Sequence, residues 1–166
     1  MSAGSLGEFQ RKSVSGDGMG DDVPCYKSRV SIAEQILRQC NVVAVVGMSR
    51  HPQKAAHYVP KQLMEAGFCI VPINPEVDEI LGQRAFPNLE AIPFPVDLVL
   101  VFRPSNKVLP FAQAAVAIGA KALWLQQGIT HPEARRLATE AGILYVEDEC
   151  AAVVRSIHDI HKMQAK

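Results

Sequence analysis

Apolar residues in this chain fall into short continuous runs, and helix-period segments separate them. Val42-Val43-Ala44-Val45-Val46 is the first run; four of its five residues are β-branched, and it stops abruptly at Gly47. A run of this kind reads as a strand buried on both faces, as in a parallel sheet covered by helices. The same reading predicts strands over residues 68–73, 96–102, 122–125 and 143–146, the second strand being halted by Asn74-Pro75. Helices are predicted over residues 31–39, from about Ala56 or His57 to Ala66, and over 107–118, 130–141 and 150–163. Ser31 followed by Glu34 matches a capping box, with Ile32, Ile36 and Leu37 expected on the sheet. Val59, Leu63 and Ala66 form one face of the second helix, and Pro60 fits only its first turn. Pro110 and Pro132 likewise suit first turns, with Thr130 expected as the cap of the fourth helix. Residues 47–55 form a long loop, and residues 76–95 read as irregular, with turn signals at Gly82, Pro87-Asn88 and residues 93–95. The pattern predicts an α/β fold: a doubly wound parallel sheet of about five strands in one domain, residues 30–166. Residues 1–29, rich in Gly, Ser and Asp, are expected to be a flexible tail.

Composition narrows the function. With 166 residues, 48% of them hydrophobic, the chain has enough apolar material for a proper core. Its formal net charge of zero gives no global field to attract nucleic acid or an anionic membrane. No apolar run approaches the roughly 18 residues of a membrane span. The tail has no secretory hydrophobic region, and Glu8, Asp17, Asp21 and Asp22 argue against a transit peptide. Cysteines at 25, 40, 69 and 150 form no C-x-x-C pair, so reduced thiols and a cytoplasmic location are expected.

In such a sheet ligands bind beyond the carboxyl ends of the strands, which nominates the loops that follow them. After Gly47 come Ser49, Arg50 and Lys54, groups suited to an anion at a helix N-terminus, phosphate above all. The dinucleotide fingerprint G-x-G-x-x-G is not there, because Ser49 and Pro52 stand at its second and third glycine positions. The second strand ends in Ile73-Asn74-Pro75 where an NAD enzyme usually places a carboxylate for the ribose. Arg103, directly after the third strand, is positioned to pair with phosphate. Gln126 and Gly128 follow the fourth strand, while Trp124 within it reads as core. An ordinary turn with solvated charges is the plainer alternative at each of these loops. His158 and His161 lack a third metal ligand, Cys150 reads as a buried small residue, and no catalytic set emerges.

Several of these segments fall in one order: Val45-Val46-Gly47-Met48-Ser49, Val71-Pro72-Ile73-Asn74-Pro75, Gly82, Val96-Asp97-Leu98-Val99, Val101-Phe102-Arg103, Trp124-Leu125-Gln126-Gln127-Gly128 and Asp148-Glu149-Cys150. Together they resemble the small single-domain CoA-binding proteins, which are similar to the CoA-binding domain of the succinyl-CoA synthetase α-subunit. The resemblance implies a Rossmann-like fold that binds coenzyme A or an acyl-CoA across the strand ends. It assigns phosphate contacts to Gly47, Ser49 and Arg50 and an adenine wall to Ile73, Asn74 and Pro75. Phe102, Arg103 and Val108 would line the middle of the cleft, and Gln126 and Gly128 its far edge. Ala56 departs from the pattern, since relatives often carry a hydroxyl there, and Leu109 stands where a proline is common. The synthetases also need a domain with a phosphorylated histidine and a nucleotide-grasping partner. The sequence stops short of both, so a binding role without turnover is expected. A small NAD(P)-dependent oxidoreductase or redox sensor is the alternative, and a structural subunit with a vestigial cleft a third. A homo-oligomer or a protein partner is left open.

Overall fold

The computed structural model describes residues 30–163, so the tail expected at residues 1–29, including Cys25, lies outside the described residues. Helix α1 (Ile32–Gln39) starts at Ser31, whose side chain accepts the Glu34 N–H at 3.1 Å. Ala33, Ile36 and Leu37 are its buried residues, whereas Ile32 is 53% exposed, so Ala33 takes the core position expected of Ile32. Strand β1 (Val42–Val46) leads through the loop to α2 (Ala55–Glu65), which starts earlier than expected so that Pro60 lies inside the helix and not in its first turn, and then to β2 (Cys69–Ile73). The segment expected to be irregular holds a small hairpin, β3 (Glu79–Ile80) and β4 (Gln83–Arg84). Leu81 and Gly82 turn it, with φ of 54° and 72°. Positive φ at both central residues is what a tight hairpin turn requires.

The sheet continues with β5 (Leu98–Val101), then α3 (Leu109–Ala117), β6 (Ala122–Leu125), α4 (Pro132–Glu140), β7 (Leu144–Val146) and α5 (Ala151–Ile157). The helix expected over residues 150–163 is thus shorter than its pattern suggested, and α3 is preceded by a 3-10 turn at Ser105–Lys107. Helix α4 is capped by His131, not Thr130: the His131 Nδ1 accepts the Ala134 N–H at 3.2 Å. Five parallel strands form one sheet in the order β2-β1-β5-β6-β7. The doubly wound, Rossmann-like architecture expected from the sequence is present.

Alternate residues of the strands serve opposite faces, which is why they read as unbroken apolar runs. Val43, Val45, Leu98, Leu100 and Trp124 pack with α1, α2 and α5. Ala44, Val46, Val99, Val101 and Leu125 pack with α3 and α4. Trp124 is fully buried, as expected of core, and donates its indole N–H to the Glu149 carbonyl at 2.7 Å. Asp97 pins the opposite end of the sheet. Its carboxylate accepts the N–H groups of Asn41 and Val42 at 2.9 and 3.0 Å and pairs with Lys121 at 2.6 Å. Burial pushes the Asp97 carboxyl up, but Lys121 and the two N–H groups outweigh it and hold the pKa below the usual 3.8. Among the described cysteines, Cys40 is buried, Cys69 exposed and Cys150 intermediate, all unpaired. Burial pushes the Cys40 thiol up to about 11.

Candidate functional site

The strand order reverses between β1 and β5. From β1 the chain crosses through α2 to β2 on one side, and from β5 through α3 to β6 on the other. The loops leaving these adjacent strands therefore part in opposite directions, and a crevice opens at their carboxyl ends. A cleft of about 350 Å³ occupies this point. It is lined by the β1 loop (Gly47, Met48, Ser49, Arg50, His51, Lys54), by Ala56, by Asn74, Pro75, Glu76 and Val77 after β2, and by Phe102 and Arg103 after β5.

Gly47 leaves the strand with φ +77°, and its N–H is held by the Ile73 carbonyl at 3.1 Å. A Cβ here would lie 3.2 Å from Arg103 Cδ and 3.3 Å from the Phe102 carbonyl oxygen. The missing side chain is thus what lets Arg103 lie across the loop. Ser49 Oγ accepts the His51 N–H at 3.1 Å, which leaves its own O–H free to donate. Helix α2 begins beside it, and its N-cap Lys54 supplies no side-chain hydrogen bond. The first N–H groups of α2 and its dipole therefore remain available to an anion beside Ala56. Arg50, His51 and Lys54 are exposed. Three cationic side chains, Arg50, Lys54 and Arg103, share the cleft with the single carboxylate of Glu76, so its local charge is positive although the chain's is zero.

Arg103 carries the most specific signal. Its Nε is buried and has no hydrogen-bond partner. A buried donor left unpaired costs free energy and calls for an explanation. Arg155 Nε on α5 is in the same state away from the cleft, so what singles out Arg103 is its place beside Arg50 and Lys54. Asn74 is differently employed. Its Nδ2 donates to the Met48 carbonyl and its Oδ1 accepts the Glu76 N–H, both at 2.9 Å.

Eight of the twelve residues nominated by the sequence line this cleft: Gly47, Ser49, Arg50, Lys54, Asn74, Pro75, Phe102 and Arg103. The other four do not. Ile73 is buried beneath it and contributes its carbonyl to Gly47. Val108 is fully buried in the core with α3, which corrects its expected place in the lining. Gln126 is buried, its Oε1 accepting the Ala151 N–H at 3.3 Å, and the Gly128 N–H donates to Asp148 Oδ1 at 2.7 Å. These two belong to the β6–β7 side of the carboxyl edge. Five further residues line the cleft without being among the twelve: Met48, Ala56 and Val77 carry no polar side chain that would have marked them, whereas His51 and Glu76 do and stand in the nominated loops. Among the described residues no cluster of three or more His, Cys, Asp or Glu could hold a metal, and no helix is long and apolar enough to cross a membrane.

Residues 41–156 match the model of the CoA binding domain family. Over 124 residues the chain is 36% identical to the uncharacterized protein YneT of Bacillus subtilis, covering 75% of this chain and 92% of that protein. It is 35% identical over 77 residues to the ADP-forming acetate–CoA ligase II of Archaeoglobus fulgidus, a match spanning 45% of this chain but only 11% of the ligase. The structure of the Thermus thermophilus protein cell-free ID.343 superposes with a TM-score of 0.71 at 36% identity, covering 74% of this chain and 93% of that one. The dinucleotide forming acetyl-coenzyme A synthetase 1 of Ca. Korarchaeum cryptofilum, solved with phosphate and ADP, superposes with a TM-score of 0.58 at 27% identity. That match covers 65% of this chain and 26% of the synthetase. Since the family model takes in more than half of its residues, the chain belongs to the CoA-binding domain family.

Proposed function

We propose that the chain is a coenzyme A or acyl-CoA binding module that has no turnover of its own. The observation that carries this reading is the unpartnered, buried Nε of Arg103 lying against Gly47 in a positively charged cleft at the sheet's switch point. The donor set fits the phosphates of such a ligand. The Ser49 hydroxyl, the first N–H groups of α2, Arg50, Lys54 and Arg103 are all donors, and most are cationic. Asn74 and Pro75, after β2, would form the wall toward the adenine, and Phe102 and Arg103, after β5, line the same cleft. A bound CoA would supply a thiol that carries acyl groups, while these residues bind and orient it. A cytoplasmic setting is inferred from the same ligand and the unpaired thiols.

Asn74 weighs against a nicotinamide dinucleotide. At the position where a carboxylate would clamp the ribose, its amide is committed at both ends to the Met48 carbonyl and the Glu76 N–H. Thermal shift with CoA, acetyl-CoA, NAD and NADP tests the proposal. At a hundredfold excess over the dissociation constant, CoA adds about 2.7 kcal/mol of stability. For a chain of this size that raises Tm by roughly 5–10 °C. A larger shift with NAD or NADP would reverse the assignment.

A further inference from the structure

His57 is one of two buried polar side chains among the described residues, and it does not line the cleft. It sits in the first turn of α2 at 8% exposure, with Nδ1 2.7 Å from the Ser49 carbonyl oxygen. A carbonyl only accepts, so Nδ1 carries the proton and donates. The preceding carbonyl, that of Met48, is held by Asn74 Nδ2 at 2.9 Å. Two consecutive peptide oxygens of the β1 loop are thus each tied to a side chain of another element, one on α2 and one after β2. The Ser49 N–H is tied as well, to the Ala56 carbonyl at 3.0 Å. Backbone oxygens repel an anion, and oxygens committed elsewhere cannot turn toward it. We infer that His57, together with Asn74, is a positioning residue that braces the Met48–Ser49 carbonyls and so holds the loop in its anion-accepting form. The inference rests on the binding reading above. It concerns the loop's geometry, which is measurable without ligand.

The test compares His57→Phe, which keeps a ring but removes the donor, with His57→Asn. The Asn Nδ2 falls where His Nδ1 stands, two bonds from Cβ, so it restores the donor. The first readout is hydrogen–deuterium exchange of residues 48–51 in the free protein. The brace predicts exchange faster in His57→Phe by roughly tenfold, the worth of about one hydrogen bond, and near wild type in His57→Asn. The second readout is CoA affinity by calorimetry, expected to fall roughly tenfold in His57→Phe and to recover to within about threefold of wild type in His57→Asn on the same scale. A purely space-filling role would give the opposite order, with Phe above Asn, and would overturn the inference. So would wild-type exchange and affinity in His57→Phe. If His57→Phe does not fold, His57→Leu, which matches Asn in shape but carries no donor, replaces it, and the same ranking against His57→Asn decides. Should wild-type protein fail to bind CoA, the binding proposal falls, and the exchange ranking alone still decides whether His57 braces the loop.

Discussion

Removing the Arg103 guanidinium should separate affinity from stability. In the free protein its buried Nε has no partner, so the native state carries an unsatisfied donor at a cost of about 1–3 kcal/mol. Arg103→Ala removes that cost. It also removes the stem, whose Cδ packs over Gly47, and each methylene withdrawn from water there is worth about 0.8 kcal/mol. The two effects are of similar size and opposite sign, so net stability should change by less than about 1 kcal/mol. In a chain of this length that is less than roughly 4 °C in Tm. Binding has no such cancellation. A charge-assisted hydrogen bond to phosphate contributes about 1.5–3 kcal/mol, so CoA affinity should fall about ten- to 150-fold. Arg103→Lys, which keeps the charge but loses the planar fork, should fall between wild type and alanine. Calorimetric titration at 25 °C gives the affinities, and scanning calorimetry of the free proteins gives Tm. Affinity within twofold of wild type would make Arg103 a surface charge. A drop in Tm of 8 °C or more would make it a structural strut. Either result refutes the reasoning.

The remaining expectations concern the loop, the opposite end of the sheet and the chemistry. Gly47→Ala places a Cβ at φ +77° against Arg103 and the Phe102 carbonyl; it should destabilise by about 1–3 kcal/mol in urea titrations and weaken CoA binding as well. Asp97 has a folded-state pKa held below 3.8, so its contribution is complete above that unfolded-state value and is lost as pH falls through the lower, folded one. Denaturant midpoints of wild type should therefore drop as pH is lowered below about 4, and Asp97→Asn should flatten that part of the profile. A wild-type profile no steeper than the variant's would contradict the assignment. The purified protein should show no acetyl-CoA hydrolysis, ATP-dependent CoA ligation or NADH oxidation. His51 lines the cleft, yet it is exposed and engages Ser49 through its backbone N–H; turnover that disappears in His51→Ala would show an enzyme.

What could be read from the chain, and what could not, divides along a physical line. Strands buried on both faces announce themselves as unbroken apolar runs, and the strand expected over residues 122–125 coincides with β6 because no polar position interrupts Ala122–Leu125. Features decided by one side chain's reach were hidden. Thr130 has the better intrinsic capping chemistry, but its N–H is drawn to Ser105 Oγ at 3.1 Å, and the next residue, His131, makes the cap. The β3–β4 turn hides in Leu81-Gly82 because a leucine at positive φ gives none of the Asn-Gly signal such turns usually show.

The site divides in the same way. Gly47, Ser49, Arg50 and Lys54 come from one loop, so adjacency in sequence guaranteed adjacency in space. Arg103 followed from the strand end alone, because β1 and β5 are neighbours and every residue immediately past them borders the crevice. Val108 and Gln126 lie near strand ends too, but whether such a residue faces the cleft depends on the direction of the next helix. Val108 starts α3, which covers the sheet face shared by Val46 and Val101, and it is drawn into that core. Gln126 follows β6, one strand beyond the switch point, where the chain continues in the same direction and no crevice opens. A parallel sheet thus writes the centre of its binding site into the residues after two strands. The braces behind that site, His57 and Asn74, come from separate elements whose meeting only the folded chain reveals.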